Sequence, residues 1–164
     1  MRNRPNIDLK HADIIRDRSQ YARYVAPISE WYTSVKRDDD DISGVRVTGT
    51  TNEYALISTA EIDKGRFFSN SESHSGSRVA VIGKDIKDAL FENEQAIGNK
   101  IRIGNYTFRV IGEVEKQGKF LGMFSMDKQI IIPLGTHQRL FTRRGWTGIN
   151  VKVAESDLND ATEE

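Results

Sequence analysis

The chain has 164 residues, of which 37% are hydrophobic and 29% are charged, as in ordinary globular proteins. Lys and Arg together number 24, and Asp and Glu together number 24, so the formal net charge is zero. Proteins that bind nucleic acids usually carry a positive surplus, so this balance argues against that class. A chain of this length forms one domain, or two small lobes that share a core.

The apolar segments of the sequence are short. None approaches the roughly 18–20 residues that cross a bilayer, and no hydrophobic signal segment follows the first residues. We therefore expect either a soluble protein or a loop domain that lies between two transmembrane helices of a longer protein. The chain has no cysteine, which excludes thiolate metal sites and leaves the cellular compartment open.

The first elements predicted are a helix and a long strand. Asp8 is a suitable N-cap for a helix over residues 9–18. Alternating side chains over residues 21–36 predict the strand. Pro27 places this strand at a sheet edge or interrupts it, because proline cannot donate a hydrogen bond to a ladder.

A run of four aspartates, residues 38–41, predicts the turn of a hairpin. Residues 42–50 return as a strand with Val45 and Val47 on one face. The aspartates could in principle hold calcium, but the run lacks the glycine and glutamate spacing of a calcium loop. A solvated hairpin tip is the favoured interpretation.

The middle of the chain predicts short elements of both kinds. Residues 54–58 fit either a helical turn or a short strand, and residues 62–68 fit a turn that leads into a short extended segment. The polar residues 69–77 predict a surface loop. Residues 78–83 then predict an apolar strand, which leads directly into a helix over residues 84–92.

The last part of the chain contains a second hairpin and a buried strand. The predicted elements are, in order, strands 100–103 and 107–115, a loop 117–128, a strand 129–133, a helix 135–141, a strand 148–154 and the start of a helix at 157–164. Because strands and helices do not alternate regularly, this order indicates the α+β class.

No motif of a common catalytic site is present. The nucleophile elbow, the zinc-binding helix and the phosphate-binding loop are all absent. The three histidines, His11, His74 and His137, fall in separate elements, and we interpret them as surface or structural residues. Gly83 could begin an anion-binding helix, but a single glycine at such a junction favours a tight turn. We therefore predict no catalytic, cofactor-binding or metal-binding residues.

The loop within residues 118–127 is unusually apolar. Its side chains with this character are Phe120, Leu121, Met123, Phe124 and Met126. Flexible methionines and aromatic rings suit an adaptable contact surface. The loop either folds back over the core or contacts a partner, and the sequence leaves both alternatives open. These five residues are the candidate partner-contact site.

Several short motifs follow one another in a fixed order between residues 53 and 141. They are EY (53–54), GRFFS (65–69), RVAVIG (78–83), ALF (89–91), IGNKIRI (97–103), FRVIGEV (108–114), KQG (116–118) and IIIPLGTHQRLF (130–141). In this order they resemble the extracytoplasmic domain of MacB-type ABC-transporter permeases, which belong to the FtsX-like permease superfamily.

The resemblance implies a two-lobed α+β body with mostly antiparallel and mixed sheets. A porter-like lobe would consist of residues 1–50 and 142–164 and would be incomplete at its C-terminal end. A smaller mixed lobe, of the Sabre-like type, would be inserted at residues 51–141. The parent protein would lie in the bacterial inner membrane, with this domain in the periplasm or on the extracellular side.

The resemblance also implies a non-catalytic function without cofactors, in which the domain transmits ATP-driven motion to a periplasmic partner or substrate during efflux. The implied partners are a second permease copy, a cytoplasmic ATPase reached through the transmembrane part, and a periplasmic adaptor or a lipoprotein. One alternative is a permease domain that handles lipids or lipoproteins, in which residues 120–126 touch acyl chains. A second alternative is a small soluble enzyme with an unrecognised site.

Overall fold

The computed structural model describes residues 24–58, 61–117, 119–120, 124–125, 127–141 and 146–152. The helices predicted at residues 9–18 and 157–164 lie outside these ranges. Within them, no helix combines the length and the apolar character that a bilayer span requires.

Strands dominate the described part of the chain, which contains ten of them and four short helices. The strands are β1 (Tyr24–Arg37), β2 (Asp40–Thr50), β3 (Ile62–Gly65), β4 (Val79–Ile82), β5 (Lys100–Ile103), β6 (Tyr106–Val114), β7 (Lys119–Phe120), β8 (Phe124–Ser125), β9 (Gln129–Pro133) and β10 (Trp146–Lys152). The helices are α1 (Tyr54–Ile57), α2 (Asn70–Ser75), α3 (Lys84–Leu90) and α4 (Leu134–Phe141). This mixture, without regular alternation, confirms the predicted α+β class.

Eight of these strands form one mixed sheet. Seven lie in the order β10-β1-β2-β9-β4-β6-β3, and β5 pairs with both β1 and β6. The pairs β2–β9 and β4–β6 are parallel, and the other pairs of this sheet are antiparallel. The strands β7 and β8 form a separate two-stranded hairpin.

The first hairpin joins β1 to β2 by a turn at Asp38 and Asp39, with Arg37 opposite Asp40. Asp38 has φ 54°, in the left-handed region that aspartate tolerates better than most residues. The predicted hairpin is thus confirmed, with a turn shorter than the aspartate run. Val45 and Val47 both point into the core, as the alternation predicts.

The strand β1 runs through Pro27, so the expected interruption is wrong, and the strand as a whole lies between β10 and β2. At Pro27 itself only β10 is paired, so this residue lies on a locally open flank of the strand, as the edge prediction requires. The ladder to β2 ends at the pair Ser29–Gly49. Beyond it, Oγ1 of Thr50 donates a hydrogen bond of 2.8 Å to the Pro27 carbonyl. In an antiparallel strand, the nitrogen and the carbonyl of one residue face the same neighbouring strand. The nitrogen of Pro27 therefore faces the β2 side beyond the end of the ladder, where no strand requires an N–H donor.

The large sheet carries a hydrophobic core on each face. The larger core contains side chains from α3 and α4, among them Ile86, Leu90 and Phe141. The buried members of the smaller core are Phe68, Val81, Ile111, Val114 and Ile131. Within β4 and β9, alternate residues belong to opposite cores, and this explains why both strands are continuously apolar.

Residues 69–77 do not form the predicted surface loop, because α2 occupies most of this segment. Ser69 and Glu72 form a capping box: Oγ of Ser69 accepts from the Glu72 amide at 3.2 Å, and the Glu72 carboxylate accepts from the Ser69 amide at 2.8 Å. Arg66 adds an ion pair to the same carboxylate at 2.8 Å. Gly76, with φ 80°, ends the helix in the left-handed conformation.

The remaining predicted elements differ from the structure mainly at their ends. The second hairpin, β5–β6, is confirmed, and Gly104 in its turn has φ 61°. The ambiguous residues after Glu53 form α1, which is a single helical turn. The predicted loop at residues 117–128 is wrong in one respect, because it contains the hairpin β7–β8.

Candidate functional site

The apolar loop chosen from the sequence is built around the hairpin β7–β8. Phe120 and Phe124 are cross-strand partners in this hairpin, so their Cα atoms lie opposite each other. The other three predicted contact residues, Leu121, Met123 and Met126, lie outside the described residues. The structure therefore brings together two of the five candidates.

Polar contacts hold the two ends of this loop together. The buried carboxylate of Asp127 accepts a hydrogen bond of 2.7 Å from the Gln117 amide. The side chain of Gln129, also buried, donates to Oε1 of Gln117 at 3.1 Å. The base of the loop is thus fixed to the start of β9, in the middle of the large sheet.

Gly83 lies beside the same loop base and is buried. Its amide donates to the Gln129 carbonyl at 2.9 Å, and a Cβ at this position would overlap the Asp127 carbonyl. With φ −81°, the residue needs no glycine for its backbone conformation. Close approach of the chain, rather than the predicted tight turn, therefore requires glycine here.

A cleft of about 500 Å³ lies against the smaller core. Most of its wall is apolar, and its lining residues are Tyr54, Ala55, Ser58, Glu61, Ile62, Phe67, Val114 and Ile131. Its volume falls in the range of small-molecule sites. We did not predict this cleft from the sequence, because its walls come from elements distant along the chain.

Aromatic rings form one side of this cleft. The rings of Tyr54 and Phe67 are nearly parallel, with centroids 6.5 Å apart, and Phe67 also contacts Phe68 at 4.2 Å. On the same helix as Tyr54, the side chain of Leu56 is 60% exposed. The adjacent aromatic residues of the GRFFS motif were the sequence signal that could have indicated this surface.

The two histidines within the described residues occupy different environments. His74 is exposed on α2, and its Nδ1 lies 2.8 Å from the Asn70 carbonyl, to which it donates. His137 is 1% exposed, and among the described residues neither of its ring nitrogens has a hydrogen-bond partner. Burial lowers the pKa of His137 to about 4. His11 lies outside the described residues.

The carboxylates with clearly shifted pKa values belong to surface ion pairs. Hydrogen bonds from Arg66 lower the pKa of Glu72 to about 2, and Arg37 lowers the pKa of Glu94 in the same way. Neither histidine lines the apolar cleft. Among the described residues, no group of three His, Cys, Asp or Glu side chains is arranged to hold a metal ion.

Comparison with protein families gives a match over the whole chain. Residues 1–164 match the family described as MacB-like periplasmic core domain. The chain is 32% identical over 112 residues to the macrolide export ATP-binding/permease protein MacB of Bdellovibrio bacteriovorus, covering 68% of this chain and 17% of that protein. The corresponding protein of Syntrophobacter fumaroxidans is 28% identical over 133 residues, covering 81% of this chain and 17% of that protein. The chain thus spans 17% of the length of these curated relatives.

Solved structures share the fold. The periplasmic region of MacB from Actinobacillus actinomycetemcomitans superposes with a TM-score of 0.78 and 20% identity, covering 98% of this chain and 72% of that one. The extracellular domain of the noncanonic ABC-type transporter YknZ from Gram-positive bacteria gives a TM-score of 0.79 and 15% identity, covering 96% and 78%.

Proposed function

Because the chain belongs to the MacB-like periplasmic core domain family, we propose that it transmits ATP-driven motion from a transmembrane permease to a periplasmic partner or substrate. In this proposal the domain itself catalyses no reaction. Its partners are a second permease copy, a cytoplasmic ATPase and a periplasmic adaptor or lipoprotein.

The observation that carries this proposal is the continuity of the large sheet. A parallel ladder pairs Arg46–Thr50 of β2 with Gln129–Pro133 of β9. Every residue of this ladder except Arg46 is buried. A sheet that is paired throughout and covered on both faces resists bending, because bending would break hydrogen bonds and disturb close-packed side chains. Such a body moves as a lever.

We also propose the division into lobes, residues 1–50 with 142–164 and residues 51–141. The strands β10, β1 and β2 lie next to one another, although β10 is far from the other two in sequence. This arrangement supports a lobe made from both ends of the chain. The ladder between β2 and β9 then joins the two lobes, and β5 adds a second connection through β1.

Distance measurements on spin-labelled parent permease test the transmission of motion. Tyr32 on β1 is 64% exposed, and Lys64 on β3 is exposed at the opposite end of the sheet. This chain contains no cysteine, so Tyr32→Cys and Lys64→Cys introduce the only thiols of the domain. Pulsed electron paramagnetic resonance then measures the distance between labels with and without ATP.

Two distances distinguish the outcomes. We expect the distance between the two labels of one chain to stay constant, because the sheet is rigid. We expect the distance between equivalent Tyr32→Cys labels in two permease copies to change when ATP binds. No ATP-dependent change between copies would refute transmission, and a change within one chain would refute the rigid lever.

A second function, the handling of lipids or lipoproteins, is favoured by the apolar cleft. The cleft offers an aromatic surface of suitable size for an acyl chain, and Phe120 and Phe124 lie opposite each other in the β7–β8 hairpin. If this hairpin contacts acyl chains, the variant Phe120→Ser/Phe124→Ser loses binding to lipid vesicles and keeps its thermal stability. The exposed Tyr32→Ser variant is the matched control and should bind as the wild type does.

A large fall in the melting temperature of Phe120→Ser/Phe124→Ser would show that the hairpin covers the core. That result would reject the lipid-contact interpretation of residues 120–126 and leave the transmission proposal unaffected.

A further inference from the structure

A groove of about 420 Å³ lies beside the tip of the β1–β2 hairpin, where β5 separates from β1. We propose that this groove binds the acidic hairpin tip of a second copy of this chain, so that two copies dock reciprocally. The inference rests on the proposed function, since it specifies how the second permease copy contacts this domain.

The groove carries basic side chains in an unfavourable arrangement. In the strand register, Lys36 lies directly opposite Arg102, and Lys100 lies directly opposite Arg109. Lys100 and Arg102 alternate with the buried Ile101 and Ile103, so both face the solvent side. Like charges in directly opposed positions destabilise a sheet. Asp41 lies opposite Lys36 on β2 and offsets part of that cost. Among the described residues, no ion pair or hydrogen bond is formed by the side chains of Lys100, Arg102 and Arg109.

The hairpin tip next to the groove carries the opposite charge. Asp38, Asp39, Asp40 and Asp41 are all exposed, and within the described residues none forms an ion pair. Asp38 also lines the groove, and Asp41 lies opposite Lys36 on β2. The aspartates lie on the tip and on β2, whereas the cations extend from Lys36 towards β5 and β6. The acidic and basic surfaces are therefore adjacent and meet at Asp38 and at the opposed pair Lys36–Asp41. Within the described part of the chain, no ion pair joins the aspartates to the cations of β5 and β6.

This adjacency suits a two-fold contact. In such an interface each surface of one copy meets the complementary surface of the other, and both contacts form together. The tip of one chain would lie in the groove of its partner, with its aspartates near the partner's cations. Arg37 takes no part, because Glu94 already binds it at 3.2 Å.

Individual exposed ion pairs are weak and are screened by salt. Association of the free chains should therefore be weak. In the parent protein, anchoring in one membrane would raise the effective concentration to roughly the millimolar range.

Charge exchange between two variants tests the proposal. One variant, Lys100→Glu/Arg102→Glu, has an acidic tip and an acidic groove. The other, Asp38→Asn/Asp39→Lys/Asp40→Lys, has a net basic tip, in which only Asp41 stays acidic, and a basic groove; asparagine suits the left-handed conformation of residue 38. Sedimentation measurements at low salt should show that the wild type self-associates and that each variant alone does not. Mixing the two variants should restore association, because both contacts of the mixed pair are again complementary.

The first variant should also fold well. Its two substitutions place one new carboxylate opposite Arg109 and the other opposite Lys36, which removes two repulsive pairs. Its melting temperature should therefore equal or exceed that of the wild type. Self-association of either folded variant alone at the level of the wild type would overturn the proposal, and so would a mixture of the two folded variants that stays monomeric.

Disulfide trapping provides an independent measurement. A chain with Asp39→Cys, mixed with a chain with Lys100→Cys, should form mixed disulfides several times faster than a mixture of Asp39→Cys and Lys64→Cys. Equal rates in the two mixtures would refute reciprocal docking. A third outcome would assign the groove to a membrane surface instead. In that case the wild-type chain binds phosphatidylglycerol vesicles, the Lys100→Glu/Arg102→Glu chain does not, and the chains do not associate with one another. Both measurements use the 164-residue chain without nucleotide, so their failure is distinguishable from failure of the transmission proposal.

Discussion

The buried imidazole of His137 makes the stability of the domain depend on pH. In the unfolded chain this histidine titrates near 6.5, whereas in the folded state burial lowers its pKa to about 4. Between these values the unfolded state binds more protons than the folded state, so the free energy of unfolding falls as the pH is lowered. At about 1.4 kcal/mol for each pH unit, the complete loss is about 3 kcal/mol, of which about 2 kcal/mol is reached at pH 5.

The variant His137→Leu isolates this contribution. Leucine has a similar volume and removes two buried ring nitrogens that have no hydrogen-bond partner in the described part of the chain. At pH 7 the variant should therefore be at least as stable as the wild type. Urea denaturation of both proteins at pH 7 and pH 5 gives the comparison. We expect the wild type to lose about 2 kcal/mol more than the variant between these two values.

A second titrating group defines the pH window of the measurement. Glu72 has its pKa lowered to about 2, so its stabilising ion pair is lost only as the pH falls below its ordinary value of 4.5. This loss therefore occurs below the range from pH 7 to pH 5 in which the two proteins are compared. Equal losses in the wild type and His137→Leu between pH 7 and pH 5 would refute the assignment.

Three further substitutions test the packing. Gly49→Ala should destabilise the fold by about 1–3 kcal/mol in urea titrations, because the new Cβ overlaps the Cβ of His137 across the contact between β2 and α4; wild-type stability would disprove this contact. Gly83→Ala should cost a similar amount, since its Cβ meets the backbone carbonyl of Asp127, and an unchanged midpoint would contradict the close approach. Ser69→Ala removes the N-cap of α2 and should cost about 1 kcal/mol by thermal denaturation, whereas Ser69→Asp, which retains a cap, should cost less.

The sequence patterns showed where the strands lie better than they showed which strands pair with each other. The apolar runs at residues 79–82 and 129–133 correctly indicated buried strands, and the structure shows that a core covers each of their faces. The hairpins β1–β2 and β5–β6 were predictable because their turns contain aspartate or glycine in short polar segments. The parallel pairing of β2 with β9 was not predictable, because alternation shows which face of a strand is buried and does not show which strand lies beside it.

The polar composition of residues 69–77 led to the wrong prediction of a loop where the structure has the helix α2. The helix α2 buries only Ser73, so it has no apolar stripe, although the S-x-x-E pattern of its capping box was present at residues 69–72. The burial of His137 had a signal as well. It follows Leu134 by three residues and precedes Phe141 by four, the spacing of one helix face, and all three side chains are buried.

The candidate sites were less predictable than the fold. The apolar cleft and the basic groove each combine residues from separate elements, so neither exists as a motif. The family, in contrast, was identified from the order of short motifs, and the family match over residues 1–164 confirms it. The chemistry of any single residue in these motifs would not have identified the family.

The position of β1 and β2 in the sheet has a consequence for biosynthesis. Their hairpin is the earliest described pair to be made, yet its outer neighbours, β9 and β10, belong to the last described third of the chain. Until those segments emerge, both flanks of the hairpin present unsatisfied hydrogen-bonding groups that can recruit other chains. Products that terminate early, before Gln129, would keep these flanks permanently open. We therefore expect such products to require chaperone protection or to form aggregates.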